Sequence, residues 1–383
     1  MIVDTNNQLK SIGEMECLQI KTTSYDCFLQ QLMAICVYYC GEYQKLFVDE
    51  KLIVSERKKV ILESSYISNL RDYYGIILED VKNIRIEKKE YEELYLVYFD
   101  VKKYPMCSNI EDYSDVELHA AILYAVEGDR FILFDNFYQN SRVEIQRDAF
   151  FDMIVSFQRI YRMDDNNNRN TVIDTNRITD HCYNNAFRTI KKIYEYICTI
   201  DGAIIDETDG KILAKNIQES FSFLNRNADL FEIFGKKDLY ISKCVELLRK
   251  TSESIRLRWY ILLKHIIKNQ MISKKTVLSI YQQVLELLGE EVVVKEELCD
   301  LITGKSVLKQ RVIRQVKEYV GDVTDLTESV YEKHDGYTVL KLINYLEEVN
   351  GIKELNPLLF SGRETYEEFC SELFSYILCC TNR

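Results

Sequence analysis

The chain has 383 residues, of which 47% are hydrophobic and 29% charged, and its formal net charge is -12. This balance is typical of a globular protein with a buried core rather than of a disordered chain, and the length favours two domains. The negative charge argues against nucleic acid as a partner, because a nucleic-acid interface needs a basic surface.

The N-terminal stretch "MIVDTNNQLKSIGEMEC" has neither the basic nor the apolar region of a signal peptide, and no run of 18 apolar residues offers a membrane span. We therefore expect a soluble, cytoplasmic protein without membrane contact. Most of the twelve cysteines should then be small buried hydrophobes and not disulfide partners. Cys36 and Cys40 stand four residues apart but lack a second ligand pair, so we expect no metal site.

The first element in chain order is a predicted helix from about residue 26 to 40, within "TSYDCFLQQLMAICVYYCG". Asp26 or Ser24 can cap its start, and Gly41 can end it. Cys27 lies in the first turn, where free N–H groups and the helix dipole favour a thiolate. Apolar residues follow it at helical spacing: Phe28, Leu32, Ile35, Cys36 and Tyr39.

Strand patterns follow the helix. They are "YGIILEDV", "EELYLVYFDV", "ELHAAILYAVEG", "DRFILFDNF" and "SFQRIYRM". Gly128 and Asp129 form a turn between the third and the fourth, which predicts a hairpin. His119 opens the first strand of this hairpin and Asp135 ends the second, so we expect the two side chains to be neighbours.

A polar, asparagine-rich run at residues 162–180 separates these strands from a second half with helical periodicity throughout. The predicted fold class is α+β, with a domain of mixed helix and strand over residues 1–165 and an α-helical domain over residues 166–383.

Cysteine, histidine and aspartate together can perform nucleophilic catalysis: the thiol attacks, the imidazole takes its proton, and the carboxylate orients the imidazole. Taken one at a time, Cys27 could be structural and His119 could be a satisfied core residue. Taken jointly, with the hairpin placing His119 beside Asp135, these residues favour a site.

The stretches "YDCFLQQLMAICVYYCG" and "LHAAILYAVEGDRFILFDN" resemble those of the papain-like proteins. The likeness covers residues 15–163 and is to the C39-like peptidases and, more closely, to the N-terminal domain of butirosin-type acyltransferases. It implies a papain-like cysteine-protease fold in which Cys27 is the nucleophile, His119 the general base and later acid, and Asp135 the group that orients the imidazole.

The resemblance further implies acyl transfer from the phosphopantetheine arm of an acyl or peptidyl carrier protein, through Cys27, to a small-molecule amine. Residues 1–165 would then be the papain-like catalytic domain, and the helical domain over residues 166–383 would shape an acceptor site or dock the carrier protein. The enzyme would need no cofactor of its own, and neither "GxxxxGK[ST]" nor "GxGxxG" occurs in the sequence. Two positions depart from the family pattern. Asn136 follows Asp135 where the family has proline, and Lys21 stands where an oxyanion-hole glutamine is usual. Gln19, or the backbone N–H of Cys27, is then the candidate oxyanion donor.

Two other functions remain open at this point: a cysteine peptidase or amidase, and a catalytically inactive papain-like binding module. Residues 236–275 carry eleven lysines and arginines against three acids, a net charge of +8. This segment is either a docking surface for an acidic carrier protein or a solvated helical face. The 27 tyrosines and 17 phenylalanines could line an acyl tunnel, or they could fill the core.

Overall fold

A computed structural model describes residues 26–81, 94–105, 118–135, 140–163, 173–236, 238–269, 271–304, 307–321, 326–350, 352, 355 and 365–380. The protein is a mixed α+β structure with an antiparallel sheet and many helices. The chain divides into two compact units: Met1–Leu46 with Ser65–Val172, and Phe47–Ser64 with Ile173–Arg383.

The first unit contains a six-stranded sheet in the order β3-β8-β4-β5-β6-β7, in which every neighbouring pair is antiparallel. Its strands are β3 (Ile76–Asp80), β4 (Leu94–Asp100), β5 (Leu118–Glu127), β6 (Arg130–Asp135), β7 (Asn140–Gln146) and β8 (Ile154–Arg162). Its helices are α1 (Cys27–Cys40), α2 (Tyr66–Tyr74) and α3 (Arg147–Met153).

Both faces of the sheet are covered, which explains why β5 is almost continuously apolar. Ala121 and Leu123 belong to a core cluster that also includes Phe150 of α3. Successive side chains of a strand point to opposite faces, so Ala120 and Ile122 face the other way, and they too are buried. Helix α1 packs against β5. A strand buried on both sides needs no polar alternation.

The predicted helix and all five predicted strands are present, and the turn is as expected. Glu127 pairs with Arg130, so that Gly128 and Asp129 are the two turn residues. Gly128 has a φ of +61°, a conformation that glycine adopts at little cost. Strand β7 pairs with β6 at the sheet edge and was not predicted from the sequence.

The second unit is largely helical, as its periodicity predicts. Its helices are α4 (Thr175–Tyr183), α5 (Ala186–Thr199), α6 (Glu207–Gly235), α7 (Leu239–Asn269), α8 (Lys274–Thr303), α9 (Val307–Val320), α10 (Val330–Lys333), α11 (Gly336–Asn350) and α12 (Tyr366–Cys380). Two small antiparallel pairs accompany them: β1 (Lys51–Val54) with β2 (Val60–Glu63), and β9 (Ile204–Asp206) with β10 (Met271–Ser273).

The β1–β2 hairpin belongs with the helices, although it lies far from them in sequence. Leu52 and Val60 are buried in the main core cluster of the helical unit. Asn216 of α6 fixes the hairpin from both sides, because its Oδ1 accepts from the N–H of Val60 and its Nδ2 donates to the carbonyl of Lys58. The sequence predicts a single domain boundary at residue 165. The structure adds residues 47–64 to the helical unit, so one boundary does not describe the division.

Candidate active site

Cys27 is the first residue of α1, as the sequence predicts, and it is partly exposed. Asp26 is the N-cap, and its Oδ1 accepts a 2.7 Å hydrogen bond from the N–H of Leu29. Gly41 ends the helix with a φ of +77°. The helix cap therefore holds the thiol at the positive end of the helix dipole, beside free backbone N–H groups.

His119 and Asp135 meet as the hairpin spacing predicts. The Nε2 atom of His119 lies 2.8 Å from Oδ2 of Asp135. The two side chains are almost inaccessible, with His119 2% exposed and Asp135 completely buried. A buried carboxylate with one ring nitrogen in hydrogen-bond contact fixes both the orientation and the tautomer of the imidazole.

The structure also brings Cys27 to this pair, close enough for its side chain to raise the pKa of His119 by hydrogen bonding and by its charge. Because Nε2 is held by Asp135, Nδ1 is the ring nitrogen available to the thiol. All three residues singled out from the sequence are thus joined in one chain of contacts, from thiol to imidazole to carboxylate.

The pKa of His119 is raised from its usual 6.5 to about 9. Burial lowers this pKa, but the hydrogen bonds with Asp135 and Cys27 and the negative charges of both partners outweigh burial and raise it. His119 is therefore protonated at neutral pH, and an imidazolium stabilises a neighbouring thiolate. The site thus places a protonated imidazole between the Cys27 side chain and the Asp135 carboxyl group.

Tyr104 is a member of the site that the sequence analysis missed. Its hydroxyl donates a 2.9 Å hydrogen bond to the same Oδ2 atom of Asp135 that contacts His119. Its ring packs against the imidazole, with the two centroids 4.7 Å apart, and Phe99 stacks on Tyr104. The one sequence feature that marks the position of Tyr104 is Pro105, one of only two prolines in the chain. Proline favours an extended conformation in the residue before it.

The other cysteines of α1 differ from Cys27. Cys36 is fully buried, and burial raises the pKa of its thiol well above the usual range. The Sγ atom of Cys40 donates to the carbonyl oxygen of Tyr74 over 3.8 Å. A buried thiol held in its neutral form is a poor nucleophile. Both cysteines therefore pack the helix, as the sequence analysis expects.

Several residues named from the sequence lie outside the described part of the chain. These are Gln19, Lys21 and Ser24 before the helix, and Asn136 after Asp135. The backbone N–H of Cys27 is in the described part and lies at the start of α1. Within the described residues, no group of three or more His, Cys, Asp or Glu side chains is placed to hold a metal ion.

Most of the basic segment 236–275 is helix α7. Many of its basic side chains form ion pairs or hydrogen bonds with other residues of the protein. Acidic partners hold Lys243, Arg249, Lys250 and Arg256. Arg258 contacts Gln283, and Lys274 donates to backbone carbonyls. In the described parts of the chain, Lys264 and Lys268 have no acidic partner, and Tyr260 and Ile261 beside them are exposed.

No protein-family model matches the chain, and no curated protein matches it. Among the described residues, no helix is both long enough and apolar enough to cross a membrane.

Proposed function

We propose that the protein is a cysteine-dependent acyltransferase with a papain-like catalytic unit. In this proposal it moves an acyl group from a carrier-protein thioester through Cys27 to an amine. The observation that carries the proposal is the contact chain from the Cys27 thiol to His119 and on to Asp135. This arrangement has the three parts that covalent acyl transfer needs: a nucleophile, a proton carrier and a group that orients the carrier.

In the first half-reaction, the Cys27 thiolate attacks the carbonyl carbon of the donor thioester. The tetrahedral intermediate collapses, the bond to the pantetheine sulfur breaks, and that sulfur takes a proton from the His119 imidazolium. The N–H of Cys27 at the start of α1 is the candidate donor to the oxyanion. The products are acyl-Cys27 and a free carrier thiol.

In the second half-reaction, the amine nitrogen attacks the acyl-Cys27 carbonyl and loses a proton to the now neutral His119. The carbon–sulfur bond breaks, which regenerates the thiolate–imidazolium pair and releases an amide. The first step exchanges one thioester for another and the second makes the more stable amide, so no nucleotide is consumed. Asp135 keeps the imidazole oriented through both steps.

Transfer is favoured over peptide hydrolysis by the helical unit, because a simple processing peptidase does not need a second unit of this size. The sequence also resembles that of closthioamide synthetase, an amide-forming, protease-like enzyme. That likeness implies a role in natural-product biosynthesis, with a hydroxybenzoyl-derived donor and a diamine acceptor. Peptidase or amidase activity, or an inactive binding module, are the alternatives that the experiment must separate from transfer.

The test is intact-mass measurement of the protein after incubation with a carrier protein loaded with a 4-hydroxybenzoyl thioester. We expect a mass increase equal to the acyl group in the wild type and none in Cys27→Ala. Adding an amine should remove the adduct and release the amide. Cys36→Ala is the matched control, because that thiol lies on the same helix but is buried, and it should be acylated like the wild type.

Three results would contradict the proposal in different ways. Release of only the free acid, at any amine concentration, would assign the protein to the hydrolases. Cleavage of peptides without reaction of the carrier thioester would assign it to the peptidases. No adduct and no turnover of either substrate would identify an inactive binding module.

A further inference from the structure

A hydrogen-bonded string of three side chains leads from the solvent edge of the sheet toward the Cys27 end of α1. Asp80 ends β3 and lies opposite Gln158 of β8, which in turn lies opposite Leu96 of β4. Tyr98 is two residues beyond Leu96. Because opposite residues, and residues two apart, share a face of a sheet, Asp80, Gln158 and Tyr98 all lie on the same face.

The direction of each hydrogen bond in the string is determined by chemistry. An ionised carboxylate can only accept, so the amide Nε2 of Gln158 donates to Oδ1 of Asp80, over 2.8 Å. The amide oxygen Oε1 then faces Tyr98, whose hydroxyl donates to it over 3.1 Å. Tyr98 has thereby used its only proton, and its oxygen offers lone pairs alone to any further group.

Tyr98 keeps that proton across the working pH range. Burial, together with the negative charges of Asp80 and Cys27, raises the pKa of Tyr98 to about 12. The influence of Cys27 agrees with the geometry, because Phe28, the next residue in the chain, stacks on the Tyr98 ring with centroids 6.2 Å apart and planes 29° apart. The string therefore ends at a tyrosine whose ring packs on Phe28, the residue that follows the nucleophile.

The outer end of the string is open to solvent. Asp80 is exposed, whereas Gln158 and Tyr98 are half-buried. No lysine or arginine in the described part of the chain forms an ion pair with Asp80. A ligand that approaches along this face meets a negative charge first and then an oxygen that can only accept. Such a path is complementary to N–H donors and to positive charge.

We propose that Asp80, Gln158 and Tyr98 form the subsite for the acceptor amine, a small primary amine that arrives as its ammonium ion. This inference rests on the proposed acyltransferase function and identifies where its second substrate binds. Asp80 attracts the ammonium ion from solvent, and the Tyr98 oxygen accepts an N–H of the amine beside acyl-Cys27.

The first experiment measures amine binding without any acyl transfer. Iodoacetamide alkylates Cys27, and the rate is followed by intact mass in the presence of n-butylamine at pH 7, where the amine is an ammonium ion. We expect n-butylamine to slow alkylation of the wild type and 1-butanol, its neutral counterpart, to have no effect. The protection constant should weaken about tenfold in Asp80→Asn and in Tyr98→Phe.

Glu79→Gln is the matched control, because it removes one negative charge from the adjacent residue on the opposite face of the same strand. In this variant, n-butylamine should protect Cys27 from alkylation as well as it does in the wild type. Equal protection by n-butylamine and 1-butanol, or equal weakening in Glu79→Gln and Asp80→Asn, would overturn the inference. The first result would mean apolar binding only, and the second a general effect of net charge.

The second experiment separates the two half-reactions, using the N-acetylcysteamine thioester of 4-hydroxybenzoate as donor and n-butylamine as acceptor. The aminolysis slope is the increase of the aminolysis rate with n-butylamine concentration. In Asp80→Asn and Tyr98→Phe, we expect the ratio of this slope to the acylation rate to fall about tenfold. An unchanged ratio in both variants would overturn the amine subsite and leave the acyltransferase intact. Absence of the acyl adduct in the wild type itself, with either a carrier-bound or a small-molecule donor, would overturn the proposed function instead.

Discussion

At the scale of single residues, the site is defined by one oxygen atom with two partners. Oδ2 of Asp135 contacts His119 and accepts from Tyr104, and all three groups are buried. Hydrogen bonds to a buried charged group are stronger than those between neutral groups. The carboxylate that orients the imidazole is therefore itself fixed by the Tyr104 hydroxyl before any substrate binds.

The raised pKa of His119 predicts that the free energy of unfolding depends on pH. Its folded value of about 9 exceeds the usual 6.5. The stabilisation from the charged pair is thus complete below pH 6.5 and is lost as the pH rises through 9. We expect the free energy of unfolding of the wild type to fall by up to about 3 kcal/mol across this window.

Asp135→Asn is the variant that checks this dependence. It removes the hydrogen bond and the negative charge that raise the pKa of His119, so the pKa measured by proton NMR should fall below 9. Its unfolding free energy, measured with urea, should change little between pH 6.5 and 9. Acyl transfer should fall about a hundredfold or more, because the imidazole loses its orienting partner. An unshifted His119 pKa in the variant would contradict the assignment.

Tyr104→Phe tests the positioning role of the tyrosine hydroxyl. The ring still packs on His119, while the hydrogen bond to Asp135 is lost. We expect about 1–2 kcal/mol less stability and about tenfold slower acylation of Cys27. Tyr281→Phe is the control, because the Tyr281 hydroxyl donates an equally buried hydrogen bond in the helical unit. It should lower stability similarly and leave acylation unchanged; slow acylation in both variants would indicate a purely structural role for Tyr104.

At the scale of elements, α1 positions the nucleophile and its own cap opposes the charge that the nucleophile must carry. Asp26 satisfies the N–H of Leu29, which stabilises the helix, but it places a carboxylate directly before Cys27. A neutral cap would hold the helix equally well without disfavouring the thiolate. The two effects of Asp26 can therefore be separated by substitution.

Asp26→Ser should keep the cap and raise the reactivity of Cys27. We expect stability within about 0.5 kcal/mol of the wild type and iodoacetamide alkylation about two- to fivefold faster at pH 7. Asp26→Ala removes the charge and the cap together, and it should cost about 1 kcal/mol of stability. An alkylation rate in Asp26→Ser equal to or below that of the wild type would show that the cap charge does not act on the thiol.

The elements that sequence patterns predicted are those whose signals are local. The α1 stripe follows the 3.6-residue period of a helix, and the turn at Gly128 places His119 near Asp135 by residue count alone. Strand β7 and the β1–β2 hairpin were missed. These strands are short or lie at an edge, and what they pack against is distant in sequence, as Asn216 is for Val60.

At the scale of the whole molecule, charge is unevenly distributed along a chain of net -12. The basic segment 236–275 remains a proposed dock for an acidic carrier protein. Ion pairs engage several of its basic side chains. Lys264 and Lys268 have no acidic partner among the described residues and lie beside the exposed Tyr260 and Ile261. A mixed apolar and positive surface suits an acidic partner better than a neutral one. Arg256 already pairs with Glu253 and is less available.

Reversing both charges, as Lys264→Glu with Lys268→Glu, should slow acylation of Cys27 by a carrier-bound donor about tenfold. Acylation by the N-acetylcysteamine thioester should be unchanged, and the defect should diminish at high salt. Lys191→Glu with Lys192→Glu on α5 is the matched control, since both lysines are exposed and the net charge changes equally. Slower acylation by the carrier in the control as well would rule out a specific dock.

The sequence by itself determined the catalytic candidates and most of the elements that carry them, because helix starts, strand periods and hairpin spacing are all local in the chain. Only the tertiary structure decided that Tyr104 supports Asp135, that Asp80, Gln158 and Tyr98 form one string that ends against Phe28, and that residues 47–64 pack with the helices. Each of these joins residues from separate elements. Such contacts are chosen by the packing of the whole chain and leave no periodic signal in any single stretch of it.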